Sequence, residues 1–125
     1  MTTHELASVS LDDKYTATTG RVYLSGIQAL VRLMLMQRWR DEQAGLNTGG
    51  FVSGYRGSPL GALDQSLWKA RKFLDRANIT FQPGLNEDLA ATSIWGTQQL
   101  NLHPGAKVDG VFSMCRWRRR RTASR

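Results

Sequence analysis

The sequence predicts an α/β fold, a partial doubly wound parallel sheet, and three observations carry that prediction. Short apolar runs bounded by glycine or proline alternate with longer stretches whose apolar residues recur at helical spacing. Their order reads helix, strand, helix, strand, helix, strand. Each strand is therefore joined to the next through a helix, which implies right-handed crossovers and parallel neighbours. A chain of 125 residues is long enough for one domain with a real core and too short for a complete multidomain enzyme.

Residues 1–20 are polar, rich in Thr and Ser and without sustained period, so they read as an N-terminal arm that closes at Gly20. Within it, Asp12-Asp13-Lys14-Tyr15 reads as a solvated turn. After an extended piece over 21–24, Ser25 is placed to cap a helix. Ile27, Leu30, Val31, Met34 and Leu35 follow at helical spacing, Leu33 and Met36 widen the apolar face, and Gly45 supplies the stop. That helix is expected to be largely buried.

The run 49–55 is short, apolar and glycine-bounded, as an internal strand is. Leu60, Leu63, Leu67, Ala70 and Leu74 then step by 3, 4, 3 and 4 and predict one helix with a single apolar stripe. Asp64, Lys69, Lys72 and Arg76 are expected on its polar side. Asn78 breaks it, 79–81 restarts a strand, and Pro83-Gly84 ends that strand. Asn86 caps a third helix that opens with Glu87 and Asp88, where the helix dipole favours acids. It continues through Leu89, Ala90, Ile94, Trp95 and Leu100 to Pro104-Gly105, and 108–114 is the last apolar run.

Composition narrows the function classes. Lys and Arg number 17 against 10 acids, a formal net charge of +7 that by itself points to an acidic partner such as nucleic acid. Residues 115–125 hold six arginines and no acid, however, so residues 1–114 carry a net charge of +1. The basic character belongs to the tail. No apolar run approaches the roughly 20 residues that span a bilayer, and the start lacks a basic segment followed by an apolar one, so a cytoplasmic location without membrane contact is expected. With Cys115 as its one cysteine, the chain alone makes no disulfide, no structural zinc site and no iron–sulfur cluster.

In an open parallel sheet, ligands collect at the carboxyl ends of the strands. One such end is Gly54-Tyr55-Arg56-Gly57-Ser58-Pro59, which combines close-approach glycines, a cation and a hydroxyl. It lacks both the dinucleotide fingerprint and the phosphate-loop pattern, and taken alone it reads first as a plain strand-to-helix turn with Pro59 starting the helix. Another is Gly84-Leu85-Asn86-Glu87, where a carboxyl beside Leu85, Leu89 and Trp95 is suited to hold or share a proton. The alternative there is that Glu87 and Asp88 serve only as first-turn acids. His4 and His103 have no partner at metal-ligand spacing.

These words, in order with Val9-Ser10-Leu11-Asp12-Asp13-Lys14-Tyr15, Phe81-Gln82-Pro83 and Trp95-Gly96-Thr97-Gln98-Gln99, closely resemble the amino-terminal region of the indolepyruvate ferredoxin oxidoreductase family, nearest its long, fused bacterial form. The resemblance spans about 9–114. It implies a thiamine-diphosphate enzyme that oxidatively decarboxylates 2-oxo acids, notably aryl pyruvates, to acyl-CoA and passes electrons through iron–sulfur clusters to ferredoxin. It further implies a pyrimidine-binding α/β domain over 21–114, a cofactor held with magnesium, and assembly into a homo-oligomer.

By the same resemblance, Glu87 stands where the family hydrogen-bonds the ring nitrogen of the cofactor's aminopyrimidine. That bond favours the imino tautomer able to take the thiazolium proton. Ser58, with Arg56 and the backbone of Gly57, matches the loop that faces the substrate carboxylate. Shorter relatives carry Pro and Thr in place of Arg56 and Ser58.

From Cys115 the resemblance ends. Relatives continue with a glycine-rich loop and the domain that binds the diphosphate and magnesium. Arg-rich sequence with Thr, Ala and Ser is typical of a shifted reading frame in GC-rich DNA, so residues 115–125 are expected to be a non-native tail. The isolated chain is then expected to be inactive and to bind no cofactor tightly. Two other classes compete with this reading. One is a small nucleic-acid-binding protein anchored by the tail, with Trp117 for stacking; against it, Arg32, Arg38 and Arg40 are offset by Asp41 and Glu42. The other is a structural α/β module that dimerises through its helices.

Overall fold

A computed structural model describes residues 8–55 and 60–115. One helical turn, α1 (Asp13–Thr16), precedes a long helix, α2 (Gly26–Gln43), and the first strand, β1 (Thr48–Gly54). Two consecutive helices, α3 (Gly61–Lys69) and α4 (Arg71–Arg76), lead to β2 (Ile79–Pro83). Helix α5 (Glu87–Thr97), a 3-10 turn (Leu100–Leu102) and β3 (Gly110–Cys115) complete the described chain.

The strands form an open, all-parallel sheet in the order β2-β1-β3, which is α/β and compatible with a Rossmann-like arrangement. Register fixes its two faces. Gly50 pairs with Ile79 and Phe112, and Val52 with Phe81 and Met114, so these side chains share one face. That face packs with α2, α3 and α4 into a cluster of Val31, Met34, Val52, Leu63, Leu67, Ala70, Phe73, Leu74 and Ile79. The other face presents Ser53, Gln82, Val111 and Ser113 and receives α5, which packs on β1 and β3. Gly50 is glycine for a steric reason. A Cβ there would lie 2.7 Å from Ile79 Cγ1 and 2.8 Å from Phe112 Cε2.

Capping follows the sequence. Ser25 Oγ accepts from the Gln28 N–H at 3.3 Å and Gln28 Oε1 accepts from the Ser25 N–H at 2.9 Å, a closed capping box. Gly45, at φ +77°, ends the helix region. Asn78 adopts φ +55°, a conformation Asn tolerates, and its carbonyl accepts from the Gly50 N–H at 2.9 Å, tying the end of α4 to β1.

Four expectations need correction. First, α2 is only half covered: Val31 and Met34 are buried while Leu33 is 55% exposed, because α3, β1 and the α1 turn cover only part of the helix surface. Second, the stripe from Leu60 to Leu74 is two helices, not one. The chain steps at Ala70 (φ −88°, ψ 5°), which brings Phe73 into the core beside Leu74, and Leu60 stays outside as the N-cap residue. Third, Asp64 is buried, with 5% exposure, although it was expected on the polar side. Fourth, the turn at 12–15, expected to be solvated, is half-buried: Tyr15 lies against Phe73 with ring centroids 5.4 Å apart, and the Arg32 guanidinium donates to the carbonyls of Lys14 at 2.9 Å and Ala17 at 2.7 Å. Burial pushes the Tyr15 phenol above its ordinary 10.0.

At the other end, β3 begins at Gly110 and runs through Cys115, which pairs with Ser53. No helix among the described residues is long and apolar enough to cross a membrane.

Candidate functional site

The three strands end together at Gly54, Pro83 and Cys115, and α5 starts beside them. The β2–α5 connection is tight. The Gly84 N–H donates to the Gly54 carbonyl at 2.8 Å, and a Cβ on Gly84 would stand 2.9 Å from Ala90 Cβ, so only glycine lets α5 start this close to the sheet. Asn86 Oδ1 then accepts from the Leu89 N–H at 2.8 Å and caps α5. These local constraints put Glu87, half-buried, in the first turn of α5 at the carboxyl end of the sheet.

Cys115 ends β3 at this same end of the sheet. The thiol is pushed above its ordinary 9.0, first by partial enclosure at the strand end and second by the negative charge of Glu87, even though the residue as a whole is exposed. Between Cys115 of β3 and Gln82 of β2 in the register lies Ser53, 1% exposed, whose hydroxyl has no hydrogen-bond partner among the described residues. Glu87, Ser53 and Cys115 therefore gather at one end of the α5 face. A carboxyl in this setting can accept from a ligand N–H or, when protonated, donate to a ring nitrogen.

Leu85, Leu89 and Trp95, expected to surround the carboxyl, are themselves 87%, 47% and 66% exposed. They form an open apolar margin, not an enclosure. Arg56, Gly57 and Ser58 lie outside the described residues.

Sequence reasoning missed Ser53 and Asp64. For Asp64 the signal was present: it stands four residues after Leu60 and three before Leu67, the same helical face as the stripe. It lines a cavity of about 10 Å³ with Gly54, Leu63, Phe81 and Met114, space too small for an organic ligand. Ser53 gave no such signal, since its face follows only from register. A wider groove runs along the free edge of β2 between Trp68, Arg71 and Gln82, beside the sheet rather than at Glu87. Among the described residues no three His, Cys, Asp or Glu side chains group to hold a metal ion.

Compared with protein-family models, with curated proteins and with solved structures, the chain matches none of them. The α/β class rests on the sheet geometry above.

Proposed function

We propose that this chain is the amino-terminal piece of a thiamine-diphosphate-dependent 2-oxo acid ferredoxin oxidoreductase of the indolepyruvate type, with its sheet as the pyrimidine-binding unit. One observation carries the reading: the half-buried carboxyl of Glu87 stands in the first turn of a capped helix, at the carboxyl end of an open parallel sheet. The residues fit one end of the cofactor. A half-buried carboxyl at the carboxyl end of the sheet, with exposed Leu85 and Leu89 close in sequence, suits a flat heterocycle that offers a ring nitrogen on its edge and an apolar face. By the resemblance, the diphosphate and its magnesium engage other parts of the longer enzyme.

When bound, thiamine diphosphate supplies a carbanion and an electron sink for decarboxylation. Glu87 holds and shares a proton at the ring nitrogen. Ser58, Arg56 and the Gly57 backbone bind the carboxylate of the 2-oxo acid. CoA, ferredoxin and the iron–sulfur clusters engage the remainder of a homo-oligomeric enzyme.

The direct test is the genomic DNA beyond codon 114, read in all frames. The reading expects one frame to encode a glycine-rich loop and a cofactor domain; stop codons crowding every frame would refute it. In the longer protein so encoded, Glu87→Gln is expected to abolish turnover with the fold unchanged. For the chain as it stands, calorimetry is expected to detect no tight binding of thiamine diphosphate, and micromolar binding would contradict the division of contacts.

A further inference from the structure

We propose that the outer edge of β3 is a pairing surface for a second copy of this chain, joined antiparallel about a two-fold axis at Ser113 so that the two three-stranded sheets become one. The inference rests on the sheet geometry alone and not on the thiamine reading.

The two edges of the sheet are unlike. β2 is guarded: Pro83 stands on it, the Trp68 ring packs on Phe81 with centroids 5.4 Å apart, and Ile79 is 2% exposed. β3 carries no proline and no charge. Its outward groups follow from register. The Gly50 N–H donates to the Asn78 carbonyl, so Gly50 and Val52 turn their backbone to β2, while Gly49, Phe51 and Ser53 turn theirs to β3. Their partners Val111, Ser113 and Cys115 then point N–H and C=O away from β1. Among the described residues only the Gln98 side chain reaches this row, at the Val111 carbonyl.

The strand is complementary to itself. With the axis at Ser113, that residue pairs with Ser113 of the second copy and Val111 pairs with Cys115 of the second copy, and these pairs exchange about six backbone hydrogen bonds. Phe112 and Met114 stand half-buried at the margin of the core cluster. They come opposite Met114 and Phe112 of the second copy, which extends the apolar face across the axis. A groove of about 480 Å³ beside Val111, lined also by Thr97, Leu100 and Val108, leaves room for the incoming strand end. Charge agrees. Antiparallel pairing sets the carboxyl end of one sheet beside the amino end of the other. On the α5 face the first end carries Glu87 and Asp88, and the second carries exposed Lys107 and His103, which line the same groove. Asp109 at that end turns to its own chain and accepts from the Asn47 N–H at 2.7 Å. The two-fold makes this match twice.

Sedimentation of the intact, reduced and nuclease-treated chain is expected to give twice its 14.0 kDa mass, falling to the single mass on dilution. The single mass at every concentration up to about 100 μM would overturn the proposal. Cross-linking tests the register. Val111→Cys sets a thiol opposite the native Cys115 of the second copy, at a Cα separation of about 5.5 Å. Mild oxidation is expected to link that variant into a covalent dimer about tenfold faster than the native chain, whose two Cys115 residues would lie roughly 13 Å apart. Residues 111 and 115 of one strand are equally distant, so the link cannot close within a chain. Ser113→Pro removes an N–H that the chain's own sheet does not use. With an unchanged circular dichroism spectrum, it is expected to weaken dimerisation about tenfold or more. A dimer that links no faster through Val111→Cys, or that a folded Ser113→Pro variant leaves unweakened, would assign pairing to another surface such as the exposed side chains of α5. Either result overturns pairing through β3, and the cross-linking arm decides even where the proline variant fails to fold.

Discussion

On one face of the sheet, α2, α3 and α4 close over a continuous apolar cluster that includes side chains from β1 and β2, whereas α5 is the one α-helix packed on the other face among the described residues and buries Ala90. The two coverings differ in kind. The first is apolar and contains the large buried hydrophobic side chains, such as Leu67 and Leu74. The second is held partly by polar contacts: Gln98 Nε2 donates to Ser113 Oγ and to the Val111 carbonyl at 3.1 Å each, and the Thr97 and Ser113 hydroxyls lie 3.3 Å apart. The three-helix face holds the domain together. The α5 face holds the groups that chemistry can use, Glu87, Ser53 and Cys115, beside exposed apolar side chains that other parts of a protein can cover.

Core truncation should expose this contrast most visibly. Leu67→Ala or Leu74→Ala is expected to cost about 2–5 kcal/mol, while Leu89→Ala on α5 is expected to cost less than about 0.5 kcal/mol. Denaturant unfolding of the three variants measures the contrast, and equal losses would refute it. A smaller effect is expected at Gly50, where an alanine Cβ meets Ile79 and Phe112: about 1–3 kcal/mol from overpacking, read in the same assay. Next comes the cap of α5. Asn86→Ala is expected to cost about 1 kcal/mol, with faster amide exchange at Leu89, the N–H it would leave without an acceptor.

The smallest effect concerns Cys115. Its thiol is raised above 9.0 in the fold, so iodoacetamide alkylation of the native chain should reach half-maximal rate above pH 9.0, and Glu87→Gln should move that midpoint down. The sign for stability follows from proton counting. The folded state holds this proton more tightly than the unfolded state, so stability falls as pH rises from 9.0 through the folded value; Tyr15 acts in the same direction from 10.0 upward. Unfolding midpoints across that alkaline range check it.

Much of the fold was legible because local rules and tertiary packing agree. Ser25 and Asn86 are caps by residue type, Asn78 is a break, and the three strands alternate with helices as the apolar runs indicate. What escaped the sequence depended on distant partners. The step at Ala70 appears only when Phe73 must reach the core, and the packing of residues 12–15 depends on Arg32 of α2 and Phe73 of α4. In the candidate site, Glu87 could be read from its place after a strand. Ser53 could not, because a serine in a strand acquires a face only when pairing with Gln82 and Cys115 is known.

Amide hydrogen exchange across the folded chain compares the two faces most directly. Val52 in β1 and Leu67 in α3 are expected to exchange by global unfolding, and the α5 amides from Ala90 to Trp95 by local opening, with protection lower by about tenfold or more. Protection in α5 equal to that in β1 would contradict a domain held by one face and left open at the other.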